Sequence, residues 1–121
     1  MQEQLLKPGE RINQLFSTDI KIIQNREVFS YSVDSVLLSR FPRFPKRGLI
    51  VDFCAGNGAV GLFASSRTKA KILSVEIQER LADMAERSVQ LNGLEEQMQV
   101  ICDDLKNMPA YIKGSKVDMI L

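Results

Sequence analysis

Histidine is absent from this chain of 121 residues. That absence excludes Ser-His-Asp and Cys-His nucleophilic chemistry and most zinc sites, all of which draw on an imidazole. Cysteine is scarce, with two residues, Cys54 and Cys102. They form no C-x-x-C pair, and both fall at the ends of expected strands, the first and third of a 3-2-1 sheet. Two strand spacings separate them by about 9–10 Å. A disulfide cannot span that gap, so both read as small structural residues. Neither sign of charge is in excess: 16 Lys and Arg stand against 15 Asp and Glu, a net charge of +1. Bulk electrostatics therefore demand neither nucleic acid nor membrane as a partner, and any basic surface is local. No apolar run approaches the roughly 20 residues of a membrane helix. The opening Met1-Gln-Glu-Gln-Leu-Leu-Lys-Pro8 lacks the apolar stretch of a secretory leader. The expectation is a cytoplasmic protein without a metal or a membrane partner.

Hydrophobic residues at 45% and charged residues at 26% give the balance of a folded chain rather than a disordered one. Residues 1–17 read as a polar, partly helical lead-in. Two short β-type runs, 20–24 and 27–31, flank Asn25-Arg26 and suggest a hairpin. Ser32 or Asp34 then caps a short helix over 33–40, where Val36, Leu37 and Leu38 are apolar. Two prolines and a glycine forbid regular structure over 41–48.

From Leu49 strands and helices alternate. Residues 49–53, 71–76, 98–102 and 117–121 read as strands, and 59–66, 78–91 and 106–113 as helices. Leu81, Ala85 and Val89 recur every four residues in the long helix, and Asn92-Gly93 supplies its stop. This alternation predicts an α/β fold with a parallel sheet and right-handed crossovers. Residues 1–48 form an N-terminal lead-in with hairpin and short helix, and 49–121 the ligand-binding half of a domain.

The glycine-rich turn is the strongest motif. In Leu49-Ile-Val-Asp-Phe-Cys-Ala-Gly-Asn-Gly-Ala-Val-Gly61 an apolar strand ends in Asp52, a turn follows, and a helix begins. Backbone amides at such a turn cradle nucleotide-like ligands. Gly56-x-Gly58-x-x-Gly61 satisfies the dinucleotide pattern literally, and Glu76 lies about 20 residues beyond Gly56 as that pattern wants. An NAD-binding oxidoreductase fragment is therefore one reading. Two details oppose it. Cys54 and Ala55 lengthen the turn before the first glycine, whereas in dinucleotide folds that glycine leaves the strand almost directly. A carboxylate at Asp52 is also unfavourable beside a pyrophosphate and suits a ligand bearing an ammonium or sulfonium group. The turn, with Asp52, Cys54, Ala55, Gly56, Asn57 and Gly58, is the arrangement expected for S-adenosylmethionine.

Glu76 ends the second strand, where a carboxylate accepts from both ribose hydroxyls; given the loop upstream, that reading is favoured over a solvated acid near a helix N-terminus. Asp103-Asp104 ends the third strand, and one of the two, Asp104 by preference because it directly precedes Leu105, reads as acceptor for the adenine amine or as N-cap of the next helix. Ile77 and Leu105 read either as faces for the adenine ring or as core. Arg40, Arg43, Lys46 and Arg47, interleaved with Phe41 and Phe44, fit an RNA-contacting segment or an ordinary solvated connector. Lys69 and Lys71 read as ordinary surface.

Several segments occur in a telling order: Arg11-Ile-Asn13, Ile22-Ile-Gln-Asn25, Phe29-Ser-Tyr-Ser-Val-Asp-Ser-Val-Leu-Leu38 and Val51-Asp-Phe-Cys-Ala-Gly-Asn-Gly58. Val75-Glu-Ile-Gln-Glu-Arg80, Asn92-Gly-Leu94 and Asp103-Asp-Leu105 follow. Over nearly its whole length the chain resembles bacterial methyltransferases of the tRNA(Val) adenine-N6 type. The resemblance implies a Rossmann-like class I methyltransferase fold of strand order 3-2-1-4, S-adenosylmethionine as methyl donor, and an adenosine N6 amine of tRNA as acceptor. It places Asp52, Gly56 and Gly58 in the cofactor loop, Glu76 at the ribose, Asp104 at the adenine and Asp34 near the methionine end. It also implies an Asn-Pro-Pro-Tyr or Asn-Pro-Pro-Phe segment after the fourth strand, which orients the acceptor base. The sequence to Leu121 does not contain that segment. The reading is thus a truncated donor half, inactive alone, with an apolar fourth strand as an open edge for self-association. A noncatalytic binding remnant is the remaining alternative.

Overall fold

A computed structural model describes residues 2–14, 18–25 and 43–121. A 3₁₀ turn at Gln2–Leu5 precedes strand β1, Glu10–Gln14, and strand β2, Lys21–Asn25. Strand β3 is Leu49–Phe53, helix α1 Ala59–Ser65, strand β4 Lys71–Glu76, helix α2 Glu79–Leu91 and strand β5 Met98–Cys102. A 3₁₀ turn at Leu105–Asn107 leads into helix α3, Met108–Ile112, and strand β6 is Met119–Ile120.

The main sheet has the order β5-β4-β3-β6, with every pair parallel. This is the expected 3-2-1-4 arrangement. Central strands of a parallel sheet are buried on both faces, and β3 obeys: Ile50 and Val51 are both fully buried. Ile50, Ile72 and Met98 pack against Leu62 and Phe63 of α1 and Val89 of α2. The other face sets Val51, Leu73, Val75 and Ile101 against Met108 of the short α3. Helix α1 lies close on the sheet. A Cβ at Gly61 would sit 2.9 Å from Met98 Cε and 3.0 Å from Ser74 Oγ.

The long helix ends where the sequence indicated. Asn92 Nδ2 donates to the Ser88 carbonyl and Gly93 takes φ 65. The same asparagine grips β2, accepting from Lys21 N at 2.7 Å and donating to its carbonyl.

The N-terminal region departs from expectation. Strand β2 forms, but its antiparallel partner is β1, within the segment read as a lead-in. Runs such as Glu10-Arg-Ile-Asn-Gln14 show no clean apolar alternation. Polar contacts hold β1: Gln24 Nε2 donates to Asn13 Oδ1 across the ribbon, and Arg87 of α2 grips Glu10 with both terminal nitrogens. Ile23 packs with Leu81 and Met84 of α2, so the ribbon is fastened to the back of that helix. The expected strand 27–31 and helix 33–40, with Asp34 and Arg40, lie outside the described residues, as does Phe41. Residues 43–48 carry no regular structure, as their prolines dictate.

Candidate functional site

The carboxyl ends of β3, β4 and β5 open onto a cleft of about 310 Å³, lined by Cys54, Glu76, Ile77 and Gln78 on one side and Asp103, Asp104 and Leu105 on the other. Ligands of open parallel sheets bind in this position, outside the carboxyl ends of the strands. A second hollow of about 400 Å³ lies toward the opposite strand ends beside α3, and the glycine turn takes no part in it.

The turn after β3 runs through left-handed conformations at Cys54 (φ 59), Gly56 (φ 60) and Gly58 (φ 89). Cys54 is the one non-glycine residue with positive φ among the described residues. Such a conformation costs a side chain of this kind roughly 1–2 kcal/mol and tends to occur at functional sites. The turn is held from three directions. Ala55 N donates to the Val75 carbonyl at 2.9 Å, Gly56 N to Glu76 Oε1 at 2.8 Å, and Asn57 Nδ2 to the Ile23 carbonyl at 3.4 Å. At Gly58, a Cβ would meet Ala85 Cβ of α2 at 3.1 Å.

Of the residues singled out in the sequence, Cys54, Glu76, Ile77, Asp104 and Leu105 line the cleft together. Asp52, Ala55, Asn57 and Gly58 are buried behind it, and Gly56 is half-buried. The Asn57 side chain faces β2 rather than the cleft. Both cysteines, read as small structural residues, are free and exposed. Cys102 Sγ donates to the Ile77 carbonyl at 3.7 Å, and burial with the charges of Glu79, Glu76 and Asp103 pushes its thiol pKa up.

Glu76 is 6% exposed and already accepts two backbone amides, Gly56 N on Oε1 and Gln78 N on Oε2. Each oxygen keeps a lone pair for a further donor. Ile77 is 61% exposed and Leu105 41% exposed, so neither is core. Two large apolar side chains presented at the rim of a polar cleft are available to sandwich a flat ring. Asp104 caps the 3₁₀ turn, Oδ1 accepting from Lys106 N at 3.0 Å. Its neighbour Asp103, the less favoured of the two acids for the adenine amine, accepts from Asp104 N, Asn107 Nδ2 and Tyr111 Oη, each at 2.7 Å. Those hydrogen bonds hold its carboxyl below the usual range. Tyr111 lies eight residues away, a separation with no periodic signature.

Asp52 carries the electrostatic oddity of the site. It is 4% exposed, its Oδ2 has no hydrogen-bond partner, and burial followed by the charge of Glu76 pushes its pKa up to about 7. Two carboxyls here share a low-dielectric setting without a cation among the described residues. A pyrophosphate would worsen that repulsion and a positively charged ligand would relieve it. The residues present therefore fit a ligand with a cationic centre, such as the sulfonium of S-adenosylmethionine. Among the described residues no group of acids and cysteines is arranged to hold a metal, and no helix is long and apolar enough to cross a membrane.

Residues 36–121 match the model of a family described as conserved hypothetical protein 95. A curated tRNA1(Val) (adenine(37)-N6)-methyltransferase from Shewanella halifaxensis (strain HAW-EB4) is 29% identical over 75 residues, covering 62% of this chain and 30% of that protein. This chain thus spans under a third of that relative's length. TYW2 of P. horikoshii, solved in complex with MeSAdo, superposes with a TM-score of 0.68 at 19% identity, over 84% of this chain and 38% of that one. A SAM-dependent methyltransferase from Agrobacterium tumefaciens gives 0.69 at 18% identity, over 95% and 39%. Likeness at that level of identity establishes a common fold, the Rossmann-like one expected of 3-2-1-4 order.

Proposed function

The chain belongs to the conserved hypothetical protein 95 family and carries the fold of class I methyltransferases, and from this premise we propose that it is the donor-binding part of an S-adenosylmethionine-dependent methyltransferase. The acceptor in this reading is the N6 amine of an adenosine in RNA. The observation that carries the donor assignment is the buried, partnerless carboxyl of Asp52 below a left-handed glycine turn. It favours a cationic ligand and disfavours NAD. The RNA assignment is supported by the resemblance and by the name of the Shewanella relative.

In this reading residues 49–121 hold the donor and the β1–β2 ribbon fastened to α2 braces them. Glu76 accepts from the ribose hydroxyls with the lone pairs its two amide partners leave. Ile77 and Leu105 flank the adenine. The backbone at Cys54, Ala55, Gly56, Asn57 and Gly58 shapes the floor for the methionine end, with Asp52 as the counter-charge beneath. Asp104 uses its second oxygen for the adenine amine while Oδ1 keeps the helix cap. Asp34 belongs to the proposal through the resemblance alone. When bound, the cofactor supplies the electrophilic methyl group, and the protein contributes alignment rather than acid–base chemistry. That division suits a chain without histidine.

Calorimetric titration tests the proposal directly. S-adenosylhomocysteine and S-adenosylmethionine are expected to bind and NADH is not. NADH binding without either adenosyl ligand would establish the oxidoreductase reading. A folded chain that binds none of the three would mark a noncatalytic remnant.

A further inference from the structure

At the opposite end of the sheet from the cleft, the connector 43–48 and the loop after α1 enclose a groove of about 430 Å³ lined by Lys46, Arg47, Ser65, Ser66, Arg67, Thr68 and Lys69. No acid lines it. Between Arg43 and Lys71 the sequence has six cations and one acid, Asp52, which is buried at the far end of β3. Arg43, Lys46, Arg47 and Lys69 are exposed, and no ion pair among the described residues involves them. Asp118, near Gly48, is committed to Leu49 N at 2.9 Å and lies within 3.7 Å of Lys116.

The two basic segments are far apart in sequence but locked together. Thr68 Oγ1 donates to the Pro45 carbonyl and accepts from Ala70 N, and Gln97 Nε2 donates to the carbonyls of Thr68 and Ala70. Arg67 stacks over the Phe44 ring at 5.8 Å. The helix dipole accounts for a cation just past the end of α1, which explains Arg67. It does not explain Lys46 and Arg47, which arrive from the connector, or their convergence with Lys69. Concentrating unpaired cations on a pre-ordered surface costs repulsion unless an anion relieves it.

We propose that this groove is a phosphate-backbone dock for the RNA substrate, set apart from the methyl-donor cleft. The choice of RNA over another polyanion rests on the function proposed above. The five residues of β3 separate groove from cleft, on the order of 17 Å at the usual strand rise, so an RNA gripped here reaches the donor with a segment several nucleotides away. The groove contributes position and the cleft chemistry. Lys69, read from the sequence as ordinary surface, becomes part of the dock. Lys71 does not, since its Nζ donates to the Glu96 carbonyl.

The test is fluorescence anisotropy of a labelled RNA hairpin across a salt series, with wild type, Lys46→Glu/Arg47→Glu and Lys69→Glu. Lys113→Glu controls for net charge from a site outside the groove. Wild-type binding is expected to weaken with salt. The groove variants should bind roughly tenfold or more weakly, with log–log salt slopes shallower by about 0.7–0.9 per lost contact. Lys113→Glu should stay near wild type, and all variants should keep wild-type affinity for S-adenosylhomocysteine. Three outcomes would overturn the dock: no RNA binding by wild type, equal losses in Lys113→Glu, or preference for polyglutamate over RNA. Groove-dependent RNA binding by a chain with no affinity for S-adenosylhomocysteine would instead sink the methyltransferase reading and leave the dock standing.

Discussion

Gly56 N donates to Glu76 Oε1 at 2.8 Å, so the carboxylate assigned to the ribose also fixes the turn beside it. The second oxygen holds Gln78 N at 2.9 Å and thereby the entry to α2. Truncation to Glu76→Ala frees two amides and removes the ribose acceptor in one step. The expected result is a stability loss of about 1–3 kcal/mol together with roughly tenfold or greater loss of S-adenosylhomocysteine affinity. Denaturant unfolding and calorimetry read the two effects separately. A variant that keeps full affinity would remove Glu76 from the binding role.

Asp52 makes stability depend on pH in an unusual sense. Its folded pKa, raised to about 7, exceeds the ordinary value of 3.8. Between those values the native chain holds a proton that the unfolded chain has released. The Asp52 contribution is therefore complete below about pH 4 and is lost as pH rises toward 7. In Asp52→Asn this decline should vanish, leaving the variant more stable than wild type near pH 8 by about 2–4 kcal/mol. A cationic donor favours the ionised form, so its affinity for wild type should rise from pH 6 to pH 8 with release of a proton. Calorimetry in buffers of different ionisation heat measures that release. Affinity that falls over the same range would contradict the counter-charge role.

The ion pair between Arg87 and Glu10 joins β1 to α2, with side-chain exposures of 11% and 3%. Burial alone would raise the Glu10 pKa, but the hydrogen bonds from Arg87 and Lys7 N win and hold it below the usual range. Its contribution is present above the ordinary carboxylate pKa and fades as pH falls through the lowered value. Removing one partner strands the other, and Arg87→Ala is expected to cost about 3 kcal/mol. A double-mutant cycle with Glu10→Ala should return a coupling energy well above that of a surface pair. Additive effects would reduce the clamp to two independent contacts.

Strand β6 pairs with β3 on one side, and its Ile120 is 61% exposed. Exposed apolar edges recruit further strands. Sedimentation velocity is expected to register association that grows with concentration and recedes in Ile120→Lys. A wild type that stays monomeric throughout would argue that the edge is harmless.

The half beginning at Leu49 was legible because its elements follow simple periods. Leu49-Ile-Val is apolar without a break, and Leu81, Ala85 and Val89 return every four residues. The bounds of the first two helices came within a residue, the long one starting at Glu79 instead of Gln78, whereas the expected helix 106–113 opens as a 3₁₀ turn and is helical only over Met108–Ile112. Strand β1 was not legible, because an arginine on a distant helix and an asparagine across the ribbon hold it, and neither leaves a period in the sequence. The site divides the same way. Glu76 and Asp104 stood out as acids at strand ends. The burial of Asp52 without a partner depends on β4 pairing beside it, and Asp103 acquired its partners only when the segment of Asn107 and Tyr111 folded back. Lys69 looked ordinary until Thr68 brought it beside Lys46.

Gly61 has a wider consequence. Its missing side chain is what allows α1 to rest against Met98 and Ser74, and that requirement is indifferent to whatever sits beyond the turn. Any lineage that lays a first helix this tightly on a parallel sheet will be driven to write a glycine at that spacing. The third letter of the three-glycine pattern is thus a record of helix-to-sheet distance, and by itself it names no ligand.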